Sequence, residues 1–133
     1  QQTIKSIIAA GGYVKGAKDS VFGLTFKEDC ADIRNSKVID IIRELEHYNV
    51  NIHVHDPHAC KHAVKDNYGI QLYSMDALPK GDAAILAVKH GCFESISAGD
   101  WMDKVVDHGC FIDVKSFLPD QELTEAGYSV WRL

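Results

Sequence analysis

Two cations flank the stretch GLTFKEDCADIR at residues 23–34, Lys27 near its apolar start and Arg34 at its end. Further along, Lys89 and His90 follow the run ILAV, Lys115 follows FIDV, and His55 and Asp56 close the run NIHV. Ammonium and guanidinium groups both bind phosphate oxygens, the guanidinium with two parallel hydrogen bonds. Cations brought to one cleft therefore suit a phosphate-bearing ligand. Solvated loops also collect Lys and Arg without any ligand, so placement alone leaves both readings open. A second constellation competes with the first. His53, His55, His58 and His62, with Asp56 and Cys60 among them, form the densest ligand-capable stretch of the chain. His53 and His55 share one face of a strand, and His58 and His62 form an i, i+4 pair suited to zinc on a helix. Pro57 turns the two faces apart, which works against all four meeting at one ion. No metal ligand is assigned on this basis.

These side chains need elements to place them. SVFGLTF (20–26) reads as a buried strand, and Asn35 or Ser36 is positioned to cap a helix through KVIDIIRELEHY. In that helix Val38, Ile41, Ile42 and Leu45 follow the i, i+3, i+4, i+7 spacing of an apolar stripe, with Lys37, Asp40, Arg43, Glu44 and His47 mostly off it. VNIHVHDP predicts a second strand, HACKHAVKDNYG a helix stopped by Gly69, and IQLY a brief strand. DAAILAV predicts a central strand covered on both faces. WMDKVVDH predicts a short helix, and GCFIDVK and GYSVWRL two further strands. Strands alternating with helices imply a mostly parallel sheet with right-handed crossovers and helices on both faces. Ligands of such sheets gather outside the carboxyl ends of the strands, where three of the four candidate strand ends carry a cation.

The chain has 133 residues, enough for one core without staples. Its 14 Lys and Arg against 19 Asp and Glu give a net charge of −5, with the signs interspersed, which argues against nucleic acid as a partner. Cys30, Cys60, Cys92 and Cys110 form no C-x-x-C pair. With no secretory signal and no apolar stretch long enough to span a bilayer, they read as reduced thiols in a cytoplasmic protein without a membrane partner. The opening, QQTIKSIIAAGG, places Ile4, Ile7 and Ile8 on one helical face, ends at Gly11 and Gly12, and has no initiator Met. That start predicts a piece of a longer protein.

The segment VFGLTFKEDCADIRNSKVIDIIRELEHYNVNIHVHDP, followed in order by AILAVKH, FIDVK and VWRL, resembles the C-terminal domain of the UDP-glucose/GDP-mannose dehydrogenase family. The resemblance covers nearly the whole chain and lies nearest the branch acting on UDP-N-acetylhexosamines. It implies a three-layer α/β/α, Rossmann-like domain over residues 13–133, with residues 1–12 as the tail of the helix joining two halves. Members of the family oxidise the C6 hydroxyl of a nucleotide sugar to a carboxylate with NAD, through a covalent adduct on a cysteine, and serve polysaccharide precursor synthesis. By position, Phe26, Lys27 and Lys115 would meet the UDP-sugar, and Arg34 would face NAD. NAD itself would be held mainly by an N-terminal domain, and the full-length protein would be a homo-oligomer. No residue here matches a catalytic one: GGYVKG has the wrong spacing for a dinucleotide fingerprint, and Cys30 has no partner base and lies in the binding loop. The expectation is a nucleotide-sugar-binding domain that is inactive alone, set against a stand-alone metal-binding or assembly module built on residues 53–62.

Overall fold

The computed structural model describes residues 17–132. The helix expected over Gln1–Ala10 and its Gly11–Gly12 stop lie outside the described residues. Among the described residues five strands form one fully parallel sheet: β1 (Lys18–Phe22), β2 (Asn51–His55), β3 (Gly81–Leu86), β4 (Val105–Asp113) and β5 (Ser129–Arg132), in the order β2-β1-β3-β4-β5. The expected α/β/α architecture holds, with the sheet wholly rather than mostly parallel.

The pleat sorts side chains into two cores. Val54, Val21, Ile85 and Ile112 lie in register across four strands and point to one face. There they meet Val38, Ile41, Ile42 and Leu45 of α1 (Lys37–His47) and Val64 of α2 (Lys61–Tyr68). Phe22, Leu86 and Phe111 point to the other face. They pack on Phe93 of α3 (Gly91–Glu94), Trp101 of α4 (Ala98–Met102) and Leu123 of α5 (Asp120–Glu125). Each of these fully buried side chains contributes about 1.5–3 kcal/mol, so the apolar stripe of α1 alone fixes that helix to the sheet. Ser36 is its cap, accepting from the Val38 N–H at 3.2 Å. Asn35 instead takes a positive φ of 56° just before it. The Gly69 stop of α2 is left-handed, with φ 67°.

Three expected elements differ. The first strand ends at Phe22, because at Gly23 the backbone turns with φ 100° and the N–H of Leu24 bonds to a side chain, Asp56 Oδ2, at 2.6 Å. IQLY makes only one parallel bridge, Leu72 with Val54. It then carries the chain from the first face to the second, where Met75 and Leu78 pack. Residues 101–108 are not one helix: α4 ends at Met102 and β4 starts at Val105. β-branched Val105 and Val106 favour the strand, and a bulge there matches five steps along β4 to two along β3.

Gly23 is required twice. Its φ is one that L side chains rarely adopt, and an added Cβ would lie 2.5 Å from Val88 Cβ and 2.8 Å from Val88 N. The neighbour is the segment after β3, not a helix backbone. Gly23→Val therefore lowers stability by about 3 kcal/mol, read as a fall in the urea midpoint. An unchanged midpoint contradicts this packing.

At the opposite end of the sheet, burial and the nearby Asp82 carboxylate push Asp19 up to about 6. Asp19 ionises near 3.8 when the chain unfolds, so its contribution to stability is full below that pH and is lost as pH rises through about 6. Asp19→Asn should raise stability at pH 7.5 by on the order of 2 kcal/mol and leave it nearly unchanged at pH 3.5. Paired urea melts at the two pH values measure the difference.

Candidate functional site

The crossovers after β1 and after β3 leave toward opposite faces of the sheet, which opens a crevice at their carboxyl ends. A cleft of about 270 Å³ lies there. Its floor is apolar, from Val38, Ile41, Ala87, Val88 and Val114, and its rim is charged, from Lys27, Lys37 and Lys115 with one acid, Glu28. Phe26 also lines it, and 56% of that ring's residue is exposed. An exposed aromatic ring beside three ammonium groups is suited to a planar, anionic ligand. The first turn of α1, through Lys37 and Val38, faces the same space, so the partial positive charge of a helix N-terminus adds to the cations.

Phe26, Lys27 and Lys115 thus line one cleft. Arg34 does not line it: 84% of its side chain is exposed, and it forms a two-point pair with Asp32, Nε to Oδ1 at 3.0 Å and an NH2 to Oδ2 at 3.1 Å. That pair holds the Asp32 carboxyl below its ordinary range and raises Arg34. Lys37, expected off the apolar stripe of α1, stands on the rim of the cleft. Its place directly after the cap was the sequence signal, since the first turn of a helix at a switch point faces the ligand side.

The loop that presents Phe26 and Lys27 is fastened by a buried pair. Asp56, just past β2, and His90, just past β3, meet over the end of β1, with His90 Nε2 2.9 Å from Asp56 Oδ2 and neither side chain exposed. Asp56 Oδ2 accepts the N–H groups of Leu24 at 2.6 Å and Thr25 at 3.2 Å, and its Oδ1 accepts those of His58 at 2.8 Å and Ala59 at 3.0 Å. Burial alone would raise the Asp56 carboxyl, but the Leu24 N–H, the His90 ring and the His58 N–H outweigh it and hold it below its ordinary value. Asp113, also buried, plays a similar part past β4, where its Oδ2 accepts the Leu118 N–H at 2.8 Å and closes the turn containing Lys115.

The histidine stretch does not converge. His53 stacks edge-on to Tyr73 and His55 Nδ1 bonds the Tyr73 carbonyl at 2.8 Å, on the β2 face toward Phe22 and Phe93. His58 turns to Asp29, 3.6 Å away, and His62 is exposed on α2. Among the described residues the one group with metal-ligand spacing is Asp29, His58 and His90, within 4.8 Å of one another. Both nitrogens of His90 are already engaged, with the Asp29 N–H at 2.9 Å and with Asp56, so hydrogen bonds already tie that group together. Cys30, Cys60, Cys92 and Cys110 are all free, and Cys30 Sγ accepts the Asp32 N–H at 3.3 Å. No described helix is long and apolar enough to cross a membrane.

Comparison with known proteins agrees with this geometry. The chain is 38% identical over 130 residues to Protein CapL of Staphylococcus aureus, a match covering 98% of this chain and 30% of that protein. It is 39% identical over 97 residues to the UDP-N-acetyl-D-glucosamine 6-dehydrogenase of Pseudomonas aeruginosa, covering 73% of this chain and 23% of the relative. Among solved structures, an NDP-N-acetyl-D-galactosaminuronic acid dehydrogenase from Methanosarcina mazei superposes with a TM-score of 0.79 at 19% identity, over 98% of this chain and 27% of that one, which establishes the shared fold. The chain spans less than a third of the length of each. Residues 20–120 match the sequence pattern of the UDP-glucose/GDP-mannose dehydrogenase family, UDP binding domain, and the chain belongs to that family.

Proposed function

We propose that this chain is the domain that grips the UDP end of a UDP-N-acetylhexosamine within an NAD-dependent 6-dehydrogenase. The observation that carries the proposal is the cleft in which Phe26, Lys27, Lys37 and Lys115 surround an apolar floor at the sheet's switch point. In this reading the ammonium groups of Lys27 and Lys115 neutralise the diphosphate, Lys37 and the first turn of α1 add to that field, and the Phe26 ring stacks on the base. Cations fixed at strand ends position a diphosphate without reorganising as it binds. In this reading the whole protein assembles as a homo-oligomer.

NAD belongs to the same reading but not to this cleft. Arg34 is exposed and already paired with Asp32, and the described residues offer no glycine-rich turn opening a helix after a strand. They do not by themselves form a dinucleotide site, and Arg34 serves as an edge contact toward a cofactor held elsewhere. Burial and nearby carboxylates raise the Cys92 and Cys110 thiols, which works against a thiolate nucleophile at either position. The 133-residue chain with UDP-N-acetylglucosamine and NAD therefore yields no NADH above background, and enzyme-dependent turnover measured by absorbance would overturn the assignment.

Binding is the direct test. With one wall of the ligand's surroundings present, the affinity for UDP is about millimolar, followed by NMR shift titration. Lys27→Ala and Lys115→Ala each weaken it about fivefold or more and added salt weakens it further, because the attraction is between charges. Lys80→Ala, at the other end of β3, leaves it unchanged. Shifts gathered around His58 and His62, or an unaltered titration in Lys27→Ala, contradict the proposed site.

A further inference from the structure

His90 touches none of the residues that line the cleft through a charge, yet it brackets the segment that carries Phe26 and Lys27. Its Nδ1 accepts the Asp29 N–H at 2.9 Å, so that nitrogen carries no proton. The ring proton is therefore on Nε2, which donates to Asp56 Oδ2 at 2.9 Å. Thr25 Oγ1 lies 3.3 Å from the same Nε2, and the Thr25 hydroxyl in turn donates to the Lys27 carbonyl at 3.0 Å. One buried ring thus touches Thr25 on one side of Phe26 and Lys27 and accepts the Asp29 N–H on the other. The Phe26 N–H, bonded to the Asp32 carbonyl at 2.7 Å, closes the loop between them.

The grip works against local strain. Asp29 has φ 54°, the left-handed region that a non-glycine residue adopts at a cost. It is held there by two bonds reaching it from the segment after β3: the His90 ring to its N–H, and the Gly91 N–H to its Oδ1 at 2.8 Å. The ring itself is fixed by edge contacts with Phe93, 5.5 Å between centroids, and with His58, 4.6 Å. A fully buried residue with both ring nitrogens committed has no lone pair left for a metal ion, so the ring's task lies in the bonds it makes.

We propose that His90, as its Nε2–H tautomer, is a positioning residue that sets the conformation of residues 25–29 and thereby the placement of Phe26 and Lys27 in the cleft. The loop's order depends on the hydrogen bonds alone; its effect on ligand affinity rests on the nucleotide reading given above. Removing the ring's acceptor frees Asp29 from its strained conformation, and Lys27 loses its fixed position without any change to its own charge.

The test uses the 133-residue chain, His90→Phe and His90→Gln. Phe keeps the ring's bulk and removes both hydrogen bonds, whereas Gln retains an amide acceptor and donor. In the wild-type chain, long-range proton–nitrogen spectra at neutral pH should show His90 with its proton on Nε2 and a bare Nδ1; a proton on Nδ1 would overturn the proposal. Amide exchange at Asp29 should quicken about tenfold in His90→Phe relative to the strand amides of Ala84–Leu86, and return to within about threefold of wild type in His90→Gln. Asp29 exchange that is unchanged in His90→Phe overturns it. UDP titration then reads the consequence, an affinity about fivefold weaker for His90→Phe and near wild type for His90→Gln. Equal affinity in His90→Phe and wild type overturns the link from loop to ligand. A wild-type chain that does not bind UDP refutes the nucleotide reading, while the tautomer and the Asp29 exchange still decide the positioning role. If His90→Phe fails to fold, the tautomer in wild type and the rescue in His90→Gln decide it.

Discussion

The hydrogen bond between Asp56 and His90 is the constraint on which the site depends. The two residues follow β2 and β3, which are separated by β1 in the sheet and so lie about 10 Å apart as strands. Their side chains meet over the end of β1, inside a region closed to water. A carboxylate in that place is tolerated only because donors surround it: two N–H groups from the loop after β1, two from the turn after β2 and the His90 ring. These donors come from the segments leaving three different strands. The pair therefore ties three strand ends together and leaves the loop at residues 24–29 little freedom.

That arrangement explains why the cleft is charged on its rim and rigid beneath. Lys27, Lys37 and Lys115 are exposed and open to a ligand. The groups that hold their backbones are buried: Ser36 donates its hydroxyl to the Leu24 carbonyl, Asp56 and His90 clasp residues 24–29, and Asp113 closes the turn after Lys115. Long side chains lose entropy when a ligand fixes them, but their backbones need not be ordered at that moment. The family's description as a UDP binding domain fits a surface built in this way, with binding groups displayed on loops and their supports placed at strand ends.

Much of the fold was legible in the sequence because it rests on periodicity. The stripe Val38, Ile41, Ile42 and Leu45 identified α1, and all four are buried. The run DAAILAV marked the central strand, and Ala84, Ile85 and Leu86 are fully enclosed. The errors fall where tertiary contacts override local pattern. The apolar run carries the expected first strand four residues too far, to Phe26, because Leu24 and Thr25 look like strand residues while their N–H groups bond to Asp56. The stretch at 101–108 mixes a helix end with a strand start, and the bulge that joins them has no local signature. Phe26, Lys27 and Lys115 were named through motif order and resemblance. Lys37 was set aside because its place on the helical wheel looked solvated, which is true and does not keep it from the cleft. His90 and Asp56 were noted only as strand-end residues. Their pairing across an intervening strand is a fact of topology that spacing along the chain does not carry.

The central claim is that the diphosphate of a UDP-sugar lies in the cleft at the β1–β3 switch point. A crystal structure of the chain soaked with UDP tests it most directly. The account predicts density for the diphosphate within about 3 Å of the Lys27 and Lys115 ammonium groups, with the uracil ring against Phe26. Diphosphate density lying instead on α2 beside His62, or well-ordered UDP with Lys27 and Lys115 both out of hydrogen-bond reach, would contradict it.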